Sequence, residues 1–355
     1  GMTACTTRVG TSTAMACPNA VCDVTNAVTC LSRAIILEAE RRFTGTMVMS
    51  KESEFASRGF RIPLAEWAAT GRTIDYRGHP IFARIEGEPE AEALVLIHGV
   101  PTASWDWEAL WPDLTQRFRV YSLDMIGFGL SAKPADYAYS LMDQANLFES
   151  FLSGEGVAGY HVLAHDYGDT VAQELLARQQ EPGTRPRLLS IAFLNGGLFP
   201  ETHRPELIQK LLLSPLGPLI AKRMNRAKLA QNMRRIFGPA TQPDEALLDN
   251  FWWLLSKNKG LAVMHKLIHY MVERRERRAR WVGALQNSRI PLKLINGAAD
   301  PISGEHMADR YRELVPQADV TLLGGIGHYP QVEAASAVLA HYLEFRDSVA
   351  RAPVH

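Results

Sequence analysis

The chain has 355 residues, 46% of them hydrophobic, and balances 38 basic against 38 acidic side chains. That is enough apolar chain to bury a large core, read as one big α/β domain with an inserted subdomain. Zero net charge argues against a nucleic-acid partner, and no run approaches the roughly 20 apolar residues of a membrane span.

Gly1 before Met2 looks like the scar of a cleaved tag. Residues 1–60 are expected to form a tail. All four cysteines (Cys5, Cys17, Cys22, Cys30) fall in its first half, at spacings that match no common zinc pattern, so no metal is expected and cytoplasm is the default compartment. Leu31, Ile35, Ala39 and Phe43 recur every four residues and predict one short helix. Met49 is a plausible alternative start.

From residue 63 the pattern becomes regular. TIDYR (73–77) and PIFARIE (80–86) alternate around a Gly-His pair and predict an opening hairpin. Six apolar runs follow, each ending in glycine or a polar turn: ALVLIHG (93–99), RVYSLDMIG (119–127), GYHVLAHD (159–166), LLSIAFLNGG (188–197), LKLINGAAD (292–300) and DVTLLGGIGH (319–328). Helical patterns such as DQANLFESFLSG (143–154) and TVAQELLAR (170–178) separate them. Buried strands alternating with helices predict a twisted, mostly parallel eight-stranded sheet covered on both faces. The rhythm breaks over 198–288, which is helix-like and interrupted by PLGP, FGPATQP and KNKG. We therefore expect a core of 61–197 and 289–350, and a helical cap of 198–288 over the carboxyl ends of the strands, where open α/β sheets bind ligands. The richest apolar stretch in the cap, LLLSPLGPLIA at 211–221, is short and broken by two prolines.

Within this frame LAHDYGD (163–169) stands out. A strand, a tight turn and a helix, with small residues two before and two after the central one, form a nucleophile elbow. The positions are Ala164, Asp166 and Gly168. An aspartate that merely caps the next helix is the plainer alternative. His98-Gly99-Val100-Pro101 follows an apolar strand, where a backbone N–H of Val100 can join that of Tyr167 in an oxyanion hole. Alone it is an ordinary turn. Asp300 lies just past LKLING and His328 just past DVTLLGG. Either alone would be a solvated loop residue; the three together, in that order after three strands, predict a nucleophile–acid–histidine triad.

These residues, with HGVPTASWDW (98–107), HDYGDTVAQELL (165–176), LNGGLFPETHRPELIQKLL (194–212) and RRARWVGAL (277–285), resemble the α/β-hydrolase superfamily. The likeness is to its epoxide hydrolase and haloalkane dehalogenase branch, which uses an aspartate nucleophile. It spans about 63 to 345 and implies an α/β-hydrolase fold, a small hydrophobic substrate and no cofactor. A carboxylate, ionised near pH 4, attacks saturated carbon to give a stable ester, whereas attack on an ester carbonyl would give an anhydride. Epoxides and alkyl halides are therefore the expected substrates, with epoxide hydrolysis to a diol ahead of dehalogenation or of another hydrolase or oxygenase reaction. A degenerate hydrolase kept for binding is the non-enzyme alternative.

The leaving group separates the readings. The resemblance implies a tryptophan after the nucleophile in dehalogenases, with a second Trp or an Asn, and here Tyr167 and Val100 stand in those places. Trp252 or Trp253 would have to substitute. Epoxide hydrolases place two cap tyrosines on the leaving oxygen; Tyr270 matches one, and His203, His269 or Asn195 are the stand-ins for the other. His98 is a further candidate contact. ERRERRAR (273–280) reads as a solvated helix face, Leu211, Leu212, Leu213 and Leu216 as cap packing or pocket lining, and His165 and Asp169 as tuning or local bonding groups. Oligomeric state is not legible.

Overall fold

The computed structural model describes residues 59–351, so the helix expected over 31–43 and most of the tail lie outside the described residues. Strands β1 (Arg72–Tyr76) and β2 (His79–Glu86) form the expected hairpin, with Tyr76 paired to His79. Its two turn residues, Arg77 and Gly78, both take positive φ (54° and 79°), the twist a two-residue hairpin prefers. Arg77 thus belongs to the turn and not to the strand.

Six more strands follow: β3 (Ala93–Ile97), β4 (Arg119–Leu123), β5 (Gly159–His165), β6 (Arg187–Leu194), β7 (Leu292–Gly297) and β8 (Asp319–Leu323). They join in the order β1-β2-β4-β3-β5-β6-β7-β8, antiparallel from β1 to β4 and parallel beyond. Both faces carry an apolar cluster, which is why β3 to β6 read as unbroken apolar runs. The strand order reverses around β3: β4 pairs on one side and β5 on the other, Val95 facing Tyr121 and Val162. The crevice at such a reversal is where this class of sheet receives ligands.

Only helices lie between β6 and β7, from Leu207 to Gln286. Asn225 and Asp244 cap two of them, accepting the N–H of Lys228 and Leu247 at 3.0 and 2.8 Å. The last, Arg278–Gln286, packs on the helix Tyr167–Gln179, which is buried from Tyr167 to Ala177. Glu174, in the middle of that buried helix, is the joint. It accepts from Arg178 Nε (2.7 Å), Arg280 Nε (2.7 Å) and Trp281 Nε1 (2.8 Å). Burial alone would raise this carboxyl; those donors hold it below the usual glutamate range.

ERRERRAR therefore departs from the solvated face expected of it. Arg274 is 2% exposed and Arg280 is spent on Glu174, while Arg275 faces water. No helix among the described residues is long and apolar enough to cross a membrane.

Candidate active site

Asp166 sits at the end of β5 with φ 49° and ψ −106°, a region a non-glycine residue enters only when its surroundings enforce it. Two glycines make room for this bend. A Cβ on Gly168 would meet the carbonyl oxygens of Ile97 and His98 at 2.5 and 2.7 Å. One on Gly99 would meet His165 Nδ1 at 2.7 Å and Asp166 Cβ at 2.9 Å. The small residue at 168 was legible in the elbow pattern; the need at 99 depends on the neighbouring strand.

The bend aims the Asp166 carboxylate into the crevice. Oδ2 accepts the Val100 N–H at 3.1 Å. Oδ1 lies 3.9 Å from His328 Nε2, too far for a hydrogen bond. Tyr167 is the first residue of the following helix, so its N–H has no partner within that helix. Its ring is buried and packs edge-on against Tyr270 at 5.2 Å.

His328 Nδ1 bonds Asp300 Oδ2 at 2.7 Å. Asp300 is saturated: Asn195 Nδ2 (3.0 Å), Ser303 N–H (3.1 Å) and Ser303 Oγ (2.8 Å) donate to Oδ2, and the Ile302 N–H (2.8 Å) to Oδ1. Burial pushes the Asp300 carboxyl up, but the imidazole and these donors outweigh it and bring it to about 2. Burial likewise opposes charge on His328; Asp300, Asp166 and Glu333 outweigh it and raise the imidazole to about 9. Both aspartates thus favour the protonated form of His328.

His165 Nε2 donates to the His328 carbonyl at 2.8 Å and so holds the histidine loop from beneath. Asp169 Oδ1 accepts the Leu194 N–H at 3.4 Å while Oδ2 has no partner. Burial raises this carboxyl well above its ordinary value, with Asp166 adding to the effect.

A cavity of about 890 Å³, open solvent at its mouth included, is lined in part by Val100, Asp166 and His328. Its walls are mostly apolar, with Leu212, Met224, Met233 and Leu255 from the helical insertion and Phe128 from the core.

The residues expected at the leaving group fare differently. Tyr270 and His203 do not line the cavity but feel the Asp166 charge: burial and Asp166 both raise the Tyr270 hydroxyl, while burial and the Arg274 charge bring His203 down to about 3. The Tyr270 hydroxyl and both His203 ring nitrogens are buried without partners. The other five are placed or engaged elsewhere, His269 being exposed. Asn195 spends its amide on Asp300 and Gly297, so it positions the acid rather than meeting substrate. His98 is locked between the Met125 N–H and the Gly99 carbonyl, at 3.0 and 2.9 Å. Trp252 and Trp253 pack at the edge of the second apolar cluster and do not line the cavity.

Three residues were not expected here. Arg274 donates to Thr170 Oγ1 (2.7 Å) and the Asp166 carbonyl (3.1 Å), stacks over Tyr270, and leaves Nη1 unpartnered. Its signal was spacing: Arg274 lies four residues after Tyr270, on the buried face of their helix. Lys133 lines the cavity and ties three carbonyls together, of Gly129, Leu254 and Lys257 (2.7, 3.1 and 2.7 Å), with burial pulling its amine down to about 8. Ser303 follows Asp300 by three, the interval at which a turn aspartate collects backbone and hydroxyl donors.

A family model described as the alpha/beta hydrolase fold matches residues 92–335. Mesoderm-specific transcript protein of Mus musculus is 40% identical over 297 residues, covering 80% of this chain and 88% of its own. Among solved structures, haloalkane dehalogenase DbeA from Bradyrhizobium elkani USDA94 superposes with a TM-score of 0.67 at 19% identity, over 80% of this chain and 99% of its own. Epoxide hydrolase CorEH superposes with a TM-score of 0.65 at 17% identity, over 79% and 99%. Sheet order, elbow and family match agree: the chain belongs to the α/β-hydrolase-fold family.

Proposed function

We propose that this protein is a hydrolase that uses Asp166 as nucleophile, forms a covalent ester on it, and opens epoxides to diols. The observation that carries the reading is the Asp166 carboxylate held by the Val100 N–H, 3.9 Å from the nitrogen of a histidine anchored on Asp300. The names of the two solved neighbours, an epoxide hydrolase and a haloalkane dehalogenase, fit chemistry of this kind. The helices of 198–288 act as the cap, supplying most of the apolar wall around the substrate.

Each step follows from the charges. Asp166 Oδ1 attacks an epoxide carbon in line, the C–O bond breaks, and the alkoxide takes a proton from the Tyr270 hydroxyl. Ester formation erases one of the carboxylates that kept His328 charged, so the imidazole becomes more acidic and its proton returns to Tyr270 through solvent. Neutral His328 then takes a proton from water, which attacks the ester carbonyl of Asp166. The Val100 and Tyr167 N–H groups hold the resulting oxyanion, a donor of this kind being worth about 3 kcal/mol. Collapse releases the diol and restores carboxylate and imidazolium.

Epoxides are favoured over halides by what surrounds Asp166. None of Trp252, Trp253 and Tyr270 lines the cavity, but Tyr270 keeps a buried hydroxyl without a partner that feels the Asp166 charge, whereas the tryptophans sit at the edge of the second apolar cluster. The test is one turnover on styrene oxide in ¹⁸O water, followed by mass spectrometry of the peptide that contains Asp166. Label in the carboxylate supports an ester intermediate; label in the diol alone means direct attack by water and ends the proposal. Halide release from haloalkanes without diol formation would reassign the substrate.

A further inference from the structure

Among the described residues the large apolar side chains left exposed are Leu207 (65%), Leu211 (40%), Leu216 (59%) and Leu219 (50%), all on two consecutive short helices of the insertion or, for Leu216, at the N-cap of the second. Exposed leucines scattered over a surface need no explanation; four confined to thirteen residues do. The charge around them is as one-sided. From Leu207 to Pro243 the sequence has seven lysines and arginines and no aspartate or glutamate, in a chain whose net charge is zero. Arg226, Arg234 and Arg235 reach carboxylates outside that stretch, on Glu245, Asp249 and Glu206. Lys210, Lys222, Arg223 and Lys228 are exposed and have no carboxylate partner among the described residues.

We infer that this face docks on an anionic lipid bilayer. Short amphipathic helices seat apolar side chains at the headgroup boundary while neighbouring cations meet anionic lipid. A soluble protein partner could bury leucines as well, but unpaired cations interspersed in sequence with exposed leucines match the layered chemistry of a membrane surface. The face is also continuous with the site. Leu207, Leu211 and Ile220 line an outer groove, and Ile208, Met224 and Asn232 line both that groove and the cavity that Asp166 lines. Resting on the function proposed above, this identifies the substrates as bilayer-resident, long-chain epoxides that enter sideways from the lipid. It also amends the expectation that the protein has no membrane partner: no span is involved, only a surface.

Vesicle co-sedimentation of the full chain tests the docking without any catalytic assay. Binding is expected to vesicles of phosphatidylserine in phosphatidylcholine, weakly or not at all to phosphatidylcholine alone, and to fall with added salt. Leu216→Ser with Leu219→Ser is expected to weaken binding about tenfold or more, and Lys210→Gln with Lys222→Gln about tenfold. Both pairs are exposed, so unchanged melting curves and unchanged turnover of water-soluble styrene oxide are part of the expected result. Wild-type protein that ignores anionic vesicles, or leucine variants that bind as wild type, overturns the inference. So does a concentration-dependent dimer that the leucine changes abolish, since that assigns the face to a second copy. A protein that binds vesicles yet turns over no epoxide leaves the docking standing and removes the function proposed above.

Discussion

Two sets of buried polar groups, the Asp300–His328 and Glu174 networks of the core and the Tyr270, His203 and Arg274 set of the insertion, are satisfied to opposite degrees. On the core side Asp300 collects five donors, His328 is held at its side chain and its carbonyl, and Glu174 is bonded on all sides. On the insertion side Tyr270, His203 and Arg274 each leave a buried polar atom unpartnered. A satisfied network fixes geometry and contributes stability; an unsatisfied buried group costs stability and persists where a ligand completes it. Changes in the core network should therefore be felt as lost stability, and changes at the insertion groups as lost rate.

The largest effect is expected where both regions converge. Asp166→Ala should lower turnover by about 10⁴-fold or more, and Asp166→Asn, which tolerates positive φ better, should do the same with a smaller change in melting temperature. His328→Gln should stop the reaction one step later. The protein then gains the mass of one substrate molecule and stays alkylated, visible by intact-protein mass spectrometry. An unmodified but inactive His328→Gln protein would mean the histidine is needed for attack, contrary to the order of steps proposed.

Glu174→Ala tests the core side. It leaves Arg178 and Arg280 without their shared buried carboxylate and frees the Trp281 N–H, a loss of about 3 kcal/mol. For a domain of this size that is roughly 10 °C in melting temperature. The rate per folded molecule should hold, because Glu174 touches neither cavity nor triad.

Tyr270→Phe is the matching change on the insertion side, and its two readouts should move in opposite directions. Removing the proton donor should slow ester formation about 100-fold on epoxides and leave any slow halide release untouched. Melting temperature should stay level or rise, since the lost hydroxyl had no partner. A variant that melts earlier with unchanged epoxide kinetics would make Tyr270 a packing residue and remove the distinction between the two regions.

How much of this was legible in the sequence follows the same division. The eight strands were readable because each parallel strand is buried on both faces and stops at glycine or a polar turn. Asp166, Asp300 and His328 were readable as a set because each falls in the loop after its strand. What one strand does to another was not. The bonds from Asn195 to Asp300 and Gly297 join positions more than 100 apart in sequence, so Asn195 looked like a substrate contact. In the insertion, composition misled: a run of charges hid Arg274 at the one place where helical spacing turns inward. The two tryptophans marked the segment as apolar without saying which way they face.

The smallest effect, and the finest test of the satisfied network, is the dependence of stability on pH. His328 is raised to about 9 in the folded protein against about 6.5 unfolded. Its contribution is therefore complete below pH 6.5 and disappears as pH climbs to 9. Asp300 is lowered to about 2 against about 3.9 unfolded, so its share is complete above pH 3.9 and disappears as pH drops to 2. Together they set a plateau between about pH 4 and 6.5, with an alkaline slope of at most about 1.4 kcal/mol per pH unit. Melting curves of wild type and His328→Gln should diverge below pH 7 and converge toward pH 9. Curves that stay parallel across that range would mean the Asp300–His328 pair carries no linked proton, and the charge argument for when His328 becomes a base would lose its footing.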